Sequence, residues 1–235
     1  MNKIKSISLM FPLYKDKSTV KLMITKSSNI LKKLKRKYEI VIIDDGCPQN
    51  SGKLAREVAK KFTNIKIFFH KKNLGYGTAL KTGIKKCKND WIFIIDGDAE
   101  YDVNDLPRLL RVSKNYDLVI TYRYKKKYST KRILISWLYN AALRLIFKIK
   151  FRDISTGSRF VSRKLVNNVK LKSNSPFIGA EIAIKAGLAG YKVGEVGIHT
   201  FPRAFSTGSM VTMKNILWTL KDMISLFVKI FAKRF

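Results

Sequence analysis

Two carboxylates separated by one glycine follow an apolar run near the middle of the chain. Asp96 and Asp98 come after residues 91–95, with Gly97 between them and Glu100 close behind. In an extended backbone, side chains two residues apart leave the same face, and a glycine lets a ligand approach the backbone closely. Mg²⁺ and Mn²⁺ prefer oxygen ligands, and water and substrate phosphates commonly complete a site that has only one or two carboxylates. The spacing therefore predicts a divalent-cation site, with a solvated acidic turn as the alternative.

A second acidic pair follows an earlier apolar run. Residues 40–43 lead into Asp44 and Asp45, and Gly46 comes next. Uninterrupted apolar runs of this kind are typical of strands that are buried on both faces of a parallel sheet. Open α/β sheets bind their ligands at the carboxyl ends of such strands. We therefore expect both acidic pairs to lie at the ligand-binding edge of one sheet.

Strand-like and helix-like segments alternate through the first half of the chain. We predict strands at 4–14, 39–43, 65–69, 91–95 and 117–122, with helices at 19–37, 51–62 and 104–114 between them. Gly75 and Gly77 precede a further helix that ends near residue 86. A Gly-x-Gly sequence at a helix start can present backbone N–H groups to a phosphate, although the third glycine of a dinucleotide fingerprint is absent. The alternation predicts an α/β fold with a mostly parallel sheet and helices on both faces.

The second half of the chain is less regular. We expect a loop at 124–132, a weakly charged helix at 133–147, a strand at 153–163, a helix at 179–190, a strand at 192–201 and a loop at 202–210. Residues 211–235 have the spacing of an amphipathic helix, which either packs on the core or lies in a membrane interface. The expected organisation is one catalytic domain over residues 1–210, followed by this helix.

The chain is strongly basic, with 48 Lys and Arg against 16 Asp and Glu and a formal net charge of +32. Such a charge favours anionic partners, namely nucleic acid, an anionic membrane or phosphorylated substrates, although basic residues also cover nearly every predicted helix. The sequence lacks an aromatic and basic stacking motif, which argues against nucleic acid. It has no run of roughly 18 apolar residues that could span a membrane. Two cysteines, Cys47 and Cys87, give no disulfide framework, so we expect a reducing, cytoplasmic compartment.

The order of these motifs resembles that of glycosyltransferase family 2, whose members have a GT-A-type, Rossmann-like nucleotide-binding fold. The motifs are Phe11-Pro12-Leu13-Tyr14-Lys15-Asp16, Val41-Ile42-Ile43-Asp44-Asp45-Gly46, Asn73-Leu74-Gly75-Tyr76-Gly77 and Asp96-Gly97-Asp98. Later motifs are similar to the dolichol-phosphate mannose synthase branch and its bacterial polyprenyl-phosphate relatives. These are Arg123, Tyr139-Asn140, Asp153 with Thr156-Gly157-Ser158-Arg159, Glu181, and Pro202-Arg203 ahead of Gly208-Ser209.

The resemblance implies a role for individual residues of this sequence. Asp96 and Gly97 would contact the nucleotide sugar, and Asp98 and Glu100 would hold Mg²⁺ or Mn²⁺ on its diphosphate. The residues implied for the nucleotide pocket are Pro12, Tyr14, Asp16 and Asp45. Those implied for the donor and acceptor phosphates are Arg123, Arg132, Ser136 and Arg203, with Asn140 also on the acceptor side. The catalytic set is then Asp98, Arg123, Arg203 and Glu181.

Three positions depart from the family pattern. Cys47 stands where the family usually has serine, and Glu100 stands where the lipid-phosphate branch usually has glutamine. A charged Glu100 would add a negative ligand to the metal. Residues 205–207 are inserted between Arg203 and the following glycine, which makes the assignment of acceptor contacts there less direct.

The implied reaction is an inverting transfer of a hexose, mannose or glucose, from a GDP- or UDP-linked donor to a polyprenyl or dolichyl phosphate. The enzyme would act at the cytoplasmic face of an anionic membrane, alone or with a partner subunit that supplies an anchor. The alternatives are transfer to a glycan hydroxyl and a non-catalytic binding module. A hydroxyl acceptor needs a general base, whereas a phosphate is already an anion. Glu181 is either that base or a favourable acid near a helix N-terminus, and the arginines suit a phosphate acceptor.

Overall fold

A computed structural model describes residues 4–124, 130–202 and 212–232, apart from the side chains of residues 131 and 231. Its strands are β1 (Ser6–Leu13), β2 (Lys37–Asp44), β3 (Ile65–Phe69), β4 (Trp91–Ile94), β5 (Leu118–Arg123), β6 (Arg159–Ser162) and β7 (Val193–Ile198). They form one sheet in the order β3-β2-β1-β4-β6-β5-β7. Within it, β6 runs antiparallel to β4 and β5, and the other neighbours are parallel. The predicted mostly parallel sheet is confirmed.

Helices cover both faces of this sheet. They are α1 (Val20–Lys33), α2 (Ser51–Ala59), α3 (Tyr76–Lys86), α4 (Leu106–Val112), α5 (Thr130–Phe147), α6 (Arg163–Asn168), α7 (Ile178–Leu188) and α8 (Met213–Phe231). One apolar core joins the sheet to α3, α7 and α8, and a second joins it to α1, α2 and α4. Successive residues of β1 alternate between the two cores, as Leu9 and Met10 show. A strand that is buried on both faces in this way accounts for the continuous apolar runs in the sequence.

The segment at 153–163 departs from the expected strand. Only Arg159–Ser162 are β6, and Arg163–Asn168 form α6, where the Ser162 side chain accepts a hydrogen bond from the Leu165 N–H. Residues 153–158 form a loop, because their polar side chains bind the ends of other elements. Helix α2 begins at Ser51, as predicted, and follows Asn50, which has a left-handed conformation.

The last helix packs on the core through Met223 and Leu226, which are both buried. Its N-terminus is capped by the Thr212 side chain, which accepts from the Asn215 N–H. The helix also leaves large apolar side chains exposed, including Leu217 and Ile224. The helix therefore has a buried face that packs on the core and an exposed apolar face that is available to a membrane interface. Among the described residues, we find no helix with the length and apolar character needed to cross a bilayer.

Candidate functional site

The carboxyl ends of β1, β2 and β4 meet at one edge of the sheet. There the Asp45 N–H donates to the Leu13 carbonyl at 3.0 Å, and the Thr19 hydroxyl donates to the Gly97 carbonyl at 2.6 Å. A Cβ atom on Gly97 would lie 2.5 Å from the Pro12 carbonyl oxygen, so the two segments touch through backbone. The structure thus brings the strands that carry the two acidic pairs to one edge of the sheet, as predicted, and places the end of β1 between them.

The Asp45 carboxylate orders the glycine-containing loop. One oxygen accepts from the Leu74 N–H at 3.0 Å and lies 2.7 Å from His70 Nδ1, and the other accepts from the Gly75 N–H at 2.9 Å. Asp44, the other member of the pair, accepts from the Cys47 N–H in the loop after β2 and from the Gly52 N–H in the first turn of α2. Asp45 is nearly fully buried. The two acids therefore shape the edge of the site by fixing loops.

The remaining residues implied for a nucleotide pocket lie at the end of β1. Asp16 is buried, and its carboxylate accepts from the Tyr14 N–H at 3.1 Å. The Tyr14 ring is exposed. Pro12 is part of β1, and its carbonyl is the group that meets Gly97. This arrangement leaves an exposed aromatic ring beside the strand ends.

Asp96 is held by two segments that are distant in sequence. The Tyr76 hydroxyl donates to Asp96 Oδ1 at 2.7 Å. A Cβ atom on Gly157 would lie only 1.8 Å from Asp96 Oδ2, so any side chain there would displace the carboxylate. Burial and the negative charge of Asp96 raise the pKa of Tyr76 well above its ordinary value. Tyr76 consequently stays protonated and acts as a fixed hydrogen-bond donor.

Asp98 and Glu100 lie in a tight turn after β4. Asp98 Oδ1 accepts from the Glu100 N–H at 3.0 Å, and both side chains are buried. Ala99 between them has φ 58°, in the left-handed region that alanine seldom adopts. Strain of this kind is tolerated where the surrounding structure fixes the backbone, and it is frequent at binding sites. Arg132 Nη2 lies 3.6 Å from Glu100 Oε2.

Two carboxylates in one turn suit a hard divalent cation that takes its other ligands from water and a diphosphate. Within the described part of the chain, no group of three or more histidine, cysteine, aspartate or glutamate side chains is placed to hold a metal ion. The donor set thus fits Mg²⁺ or Mn²⁺ bound together with a substrate, and it does not fit a cage built from protein alone.

Arg123, at the end of β5, is fixed by a bidentate ion pair. Its Nε and Nη2 donate to the two oxygens of Asp153 at 2.8 and 3.0 Å. Burial alone would lower the pKa of Arg123, but electrostatic interactions with Tyr101, Asp153 and Glu100 and the hydrogen bonds to Asp153 outweigh it and raise the pKa. Arg123 therefore remains charged, with its guanidinium plane oriented by Asp153.

Asn140 ties α5 to the loop that carries Asp153. Its Nδ2 donates to the Ser136 carbonyl at 2.8 Å and to Asp153 Oδ1 at 3.3 Å, and its Oδ1 accepts from the Ile154 N–H at 2.9 Å. The side chain is buried and is not among the described residues that line the cavity. The geometry thus shows Asn140 supporting the Asp153 loop, and its contact with an acceptor stays a prediction.

A cavity of about 470 Å³ opens between α5, α8 and this edge of the sheet. Its charged side chains come from the strand ends and the start of α5, namely Asp96, Arg123, Arg132 and Arg159, and the polar Ser136 lies beside them on α5. Its apolar wall comes from α5 and α8, namely Ile135, Leu138, Ala142, Ile216, Leu220 and Met223. Arg159 and Tyr76 were not assigned a role from the sequence, although both are part of the motifs quoted above. The cavity can hold an anionic group at its polar side and an apolar chain against the helices.

Glu181 lies in the first turn of α7, where it anchors a loop. Its carboxylate accepts from the Lys172 and Ser173 N–H groups, at 2.9 and 2.8 Å, and from Lys185 Nζ at 2.5 Å. It is almost completely buried and is not among the described residues lining the cavity. The contacts favour the structural role and do not support a general base. Arg203, the other predicted catalytic residue at this end of the chain, lies outside the described residues.

The anchoring role predicts a pH-dependent loss of stability in Glu181→Gln. Burial alone would raise the pKa of Glu181, but hydrogen bonds from Lys185 and the Ser173 and Lys172 backbone outweigh it and hold the pKa below its ordinary value. We expect the free energy of unfolding of the variant to be about 1–3 kcal/mol lower than that of the wild type at pH 7. The difference between the two free energies should become smaller as the pH falls below about 4, because the wild-type carboxylate then takes up its proton.

Denaturant titrations of both proteins from pH 3 to pH 7 measure this difference. Glu57→Gln is the matched control, since Glu57 is an exposed carboxylate that pairs only with Lys60 in the described structure. Equal stability of wild type and Glu181→Gln at every pH would contradict the anchoring role.

Comparison with known proteins agrees with this geometry. A sequence model of the family described as "Glycosyl transferase family 2" matches residues 8–170. The undecaprenyl-phosphate 4-deoxy-4-formamido-L-arabinose transferase of Yersinia enterocolitica is 26% identical over 223 residues, covering 93% of this chain and 67% of that protein. The transferase of the same name from Pseudomonas fluorescens is 26% identical over 166 residues, covering 70% of this chain and 49% of that protein. The chain thus spans between about half and two thirds of the length of these relatives.

Solved structures show the same fold. Glucosyl-3-phosphoglycerate synthase from Mycobacterium tuberculosis, in complex with Mn²⁺, uridine diphosphate and phosphoglyceric acid, superposes with a TM-score of 0.72 over 96% of this chain and 78% of that one, at 14% identity. A complex of the same enzyme with Mg²⁺ and uridine diphosphate gives a TM-score of 0.72, covering 96% of this chain and 79% of that one, also at 14% identity. With its GT-A-like fold and a family match over more than half its length, the chain belongs to glycosyl transferase family 2 and is a nucleotide-sugar-dependent glycosyltransferase.

Proposed function

We propose that this glycosyltransferase moves a sugar from a nucleotide sugar to the phosphate of a polyprenyl phosphate at a membrane surface. The observation that carries the proposal is the composition of the cavity. Arg123, Arg132 and Arg159 line it together with apolar side chains of α5 and α8. A polyprenyl phosphate combines the same two chemistries in one molecule, a phosphate and an isoprenoid chain.

The donor would bind at the ends of β1, β2 and β4. In this assignment the nucleotide lies beside Tyr14 and Asp16, and the sugar lies against Asp96, which Tyr76 holds in place. Asp98 and Glu100 would hold Mg²⁺ or Mn²⁺, which neutralises the charge that develops on the departing diphosphate. The complexes of the mycobacterial synthase with these ions and uridine diphosphate support this choice of cation.

The acceptor would enter along the apolar wall and present its phosphate to the arginines. A phosphate oxygen then attacks the anomeric carbon as the bond to the diphosphate breaks, which inverts the configuration at that carbon. The nucleophile is already an anion, so no general base is required. The buried, loop-binding position of Glu181 agrees with a site that works without one. Arg203 remains a predicted phosphate contact.

The sugar is the least defined part of the proposal. The resemblance favours a hexose, mannose or glucose, on GDP or UDP. The relatives from Yersinia and Pseudomonas are named for 4-deoxy-4-formamido-L-arabinose. Asp96 and the residues beside it provide hydrogen-bond acceptors and donors, which can bind the hydroxyl groups of any sugar. A donor panel must therefore include both classes.

A membrane-facing surface on α5 and α8 would give the enzyme access to its lipid. The two helices expose large apolar side chains, namely Leu134, Trp137, Leu138 and Leu145 on α5 and Met213, Leu217, Leu220, Ile224 and Val228 on α8. We call these nine residues the apolar surface. Exposed lysines flank it, at Lys148, Lys150, Lys214, Lys221 and Lys229. Isolated exposed apolar residues are ordinary, but a cluster of this size marks an interaction site, and the lysines complement an anionic bilayer.

The acceptor proposal is tested by nucleotide release. Purified enzyme with Mn²⁺ is given UDP- and GDP-linked glucose, GDP-mannose and UDP-4-deoxy-4-formamido-L-arabinose, each with undecaprenyl phosphate or undecaprenol. We expect one donor to support release that depends on the phosphate, because the cavity offers guanidinium groups to an anion. The sugar–lipid product is identified by mass spectrometry. Efficient transfer to undecaprenol or to a free glycan hydroxyl, with no use of the phosphate, would show that the acceptor is a hydroxyl.

The membrane proposal is tested by sedimentation with liposomes. Vesicles containing anionic phospholipid should carry down the wild-type protein at low salt, and binding should weaken at high salt because each interfacial lysine contributes on the order of 1 kcal/mol that salt screens. The double variant Leu217→Asn, Ile224→Asn should bind several-fold less. Leu22→Asn is the matched control, since Leu22 is an exposed leucine on α1. The surface assignment fails if the wild type stays in solution at low salt, or if both variants bind equally.

A further inference from the structure

Arg159 combines a buried charge with hydrogen-bond donors that have no partner among the described residues. The side chain is 3% exposed and lines the cavity. Nη2 donates to the Thr156 carbonyl, whereas Nε and Nη1 make no hydrogen bond within the described structure. No carboxylate in that part of the chain forms an ion pair with it. A buried cation in this state is costly, and the cost falls when an anion binds.

The surroundings of Arg159 increase the positive potential. Its Nη1 and Nη2 pack against Gly179, in the first turn of α7, where a Cβ atom would lie 2.5 and 2.6 Å from them. The N-terminal end of a helix carries partial positive charge, although the Glu181 carboxylate lies in the same turn and pairs with Lys185. Gly179 itself also lines the cavity. The unpartnered guanidinium nitrogens of Arg159 therefore lie at the cavity wall, where an anion can reach them.

The other two arginines of the cavity are already engaged. Arg123 is held by both oxygens of Asp153, and Arg132 lies beside Glu100. Arg159 is therefore the cavity arginine whose donors are the most available to a ligand. Its position on β6 favours the acceptor, because β6 lies between β4 and β5, on the side of β4 away from the nucleotide pocket proposed at β1 and β2. The apolar side chains of α5 and α8 line the same cavity as Arg159.

We propose that Arg159 binds the phosphate group of the polyprenyl phosphate acceptor, and is a substrate-contacting residue of the acceptor site. The inference rests on the proposed function, since it names a residue for that acceptor. The planar guanidinium can offer Nε and Nη1 to a phosphate oxygen pair, while Nη2 stays on the Thr156 carbonyl. The charge left unpaired in the free protein is then neutralised by the substrate.

Binding of a short acceptor tests the proposal without turnover. Thermal shifts are measured for wild type, Arg159→Met and Arg159→Lys with farnesyl phosphate, with farnesol, and with UDP and Mn²⁺. We expect Arg159→Met to lower the affinity for farnesyl phosphate about 10- to 100-fold, as for the loss of a charge-assisted contact. The affinity for UDP should change less than about twofold. Arg159→Lys should recover part of the loss. Without ligand, Arg159→Met should melt at the wild-type temperature or above it, because methionine removes an uncompensated buried charge.

Arg163→Met is the matched control. Arg163 also has an unpartnered buried nitrogen in the described structure, but it binds the Asn89 and Ile84 carbonyls and does not line the cavity. Its variant should be less stable and bind farnesyl phosphate normally. A parallel loss of stability and of UDP binding in Arg159→Met would show a purely structural role. Unchanged farnesyl phosphate binding in Arg159→Met would overturn the assignment of Arg159 and leave the proposed function intact. A wild-type protein that does not bind farnesyl phosphate would contradict both.

Discussion

The position of the Asp96 carboxylate is the constraint on which the rest of the site depends. It stands just beyond β4, where the parallel strands on one side of the sheet meet the antiparallel β6 on the other. The Tyr76 hydroxyl fixes one of its oxygens, and Gly157 leaves just enough room for the other. Donor-side and acceptor-side segments therefore both depend on one side chain. A substitution at Tyr76 or Gly157 would disturb both halves of the site at once.

The last helix is connected to that same point. Asp222 of α8 accepts from the Asn174 and Ser175 N–H groups, each at 3.1 Å. The Asn174 carbonyl in turn accepts from the Gly77 N–H at 3.0 Å, directly after Tyr76. The Trp218 ring of α8 also packs on Gly75, where a Cβ atom would lie 2.8 Å away. The helix that contributes five of the nine residues of the apolar surface is thus joined through short contacts to the segment that holds Asp96.

The sequence was sufficient to predict the structural features that repeat along the chain. Continuous apolar runs and their alternation with helical spacing predicted the sheet, and the acids at the run ends marked its binding edge. The position of an acid after a run could not show what its oxygens bind. Asp45 orders a loop 29 residues away, and Glu181 binds N–H groups of a loop that precedes it. Such partners are set by tertiary packing. The length of β6 was overestimated from the sequence. The preceding loop has polar residues that long-range hydrogen bonds bury, and its polar and apolar residues alternate as they do in a strand.

The same reasoning explains why Arg159 gave no signal in the sequence. Arg159 differs from the other arginines because Nε and Nη1 have no hydrogen-bond partner in the described structure. No sequence pattern indicates such a lack of partners. Buried polar groups are nearly always paired in folded proteins, so the exceptions point to a ligand. Natural proteins retain such costly groups where a binding site needs them. The arginines of this cavity therefore differ in function despite their common chemistry.

We propose that the acidic turn after β4 holds a divalent cation on the donor diphosphate beside the cavity. Anomalous diffraction from crystals grown with Mn²⁺ and UDP would locate this ion. We expect a manganese peak about 2.1 Å from a carboxylate oxygen of Asp98, with Glu100 in its surroundings and the diphosphate completing the coordination. The assignment is wrong if the manganese peak lies far from this turn, or if UDP binds there while Asp98 contacts neither ion nor phosphate.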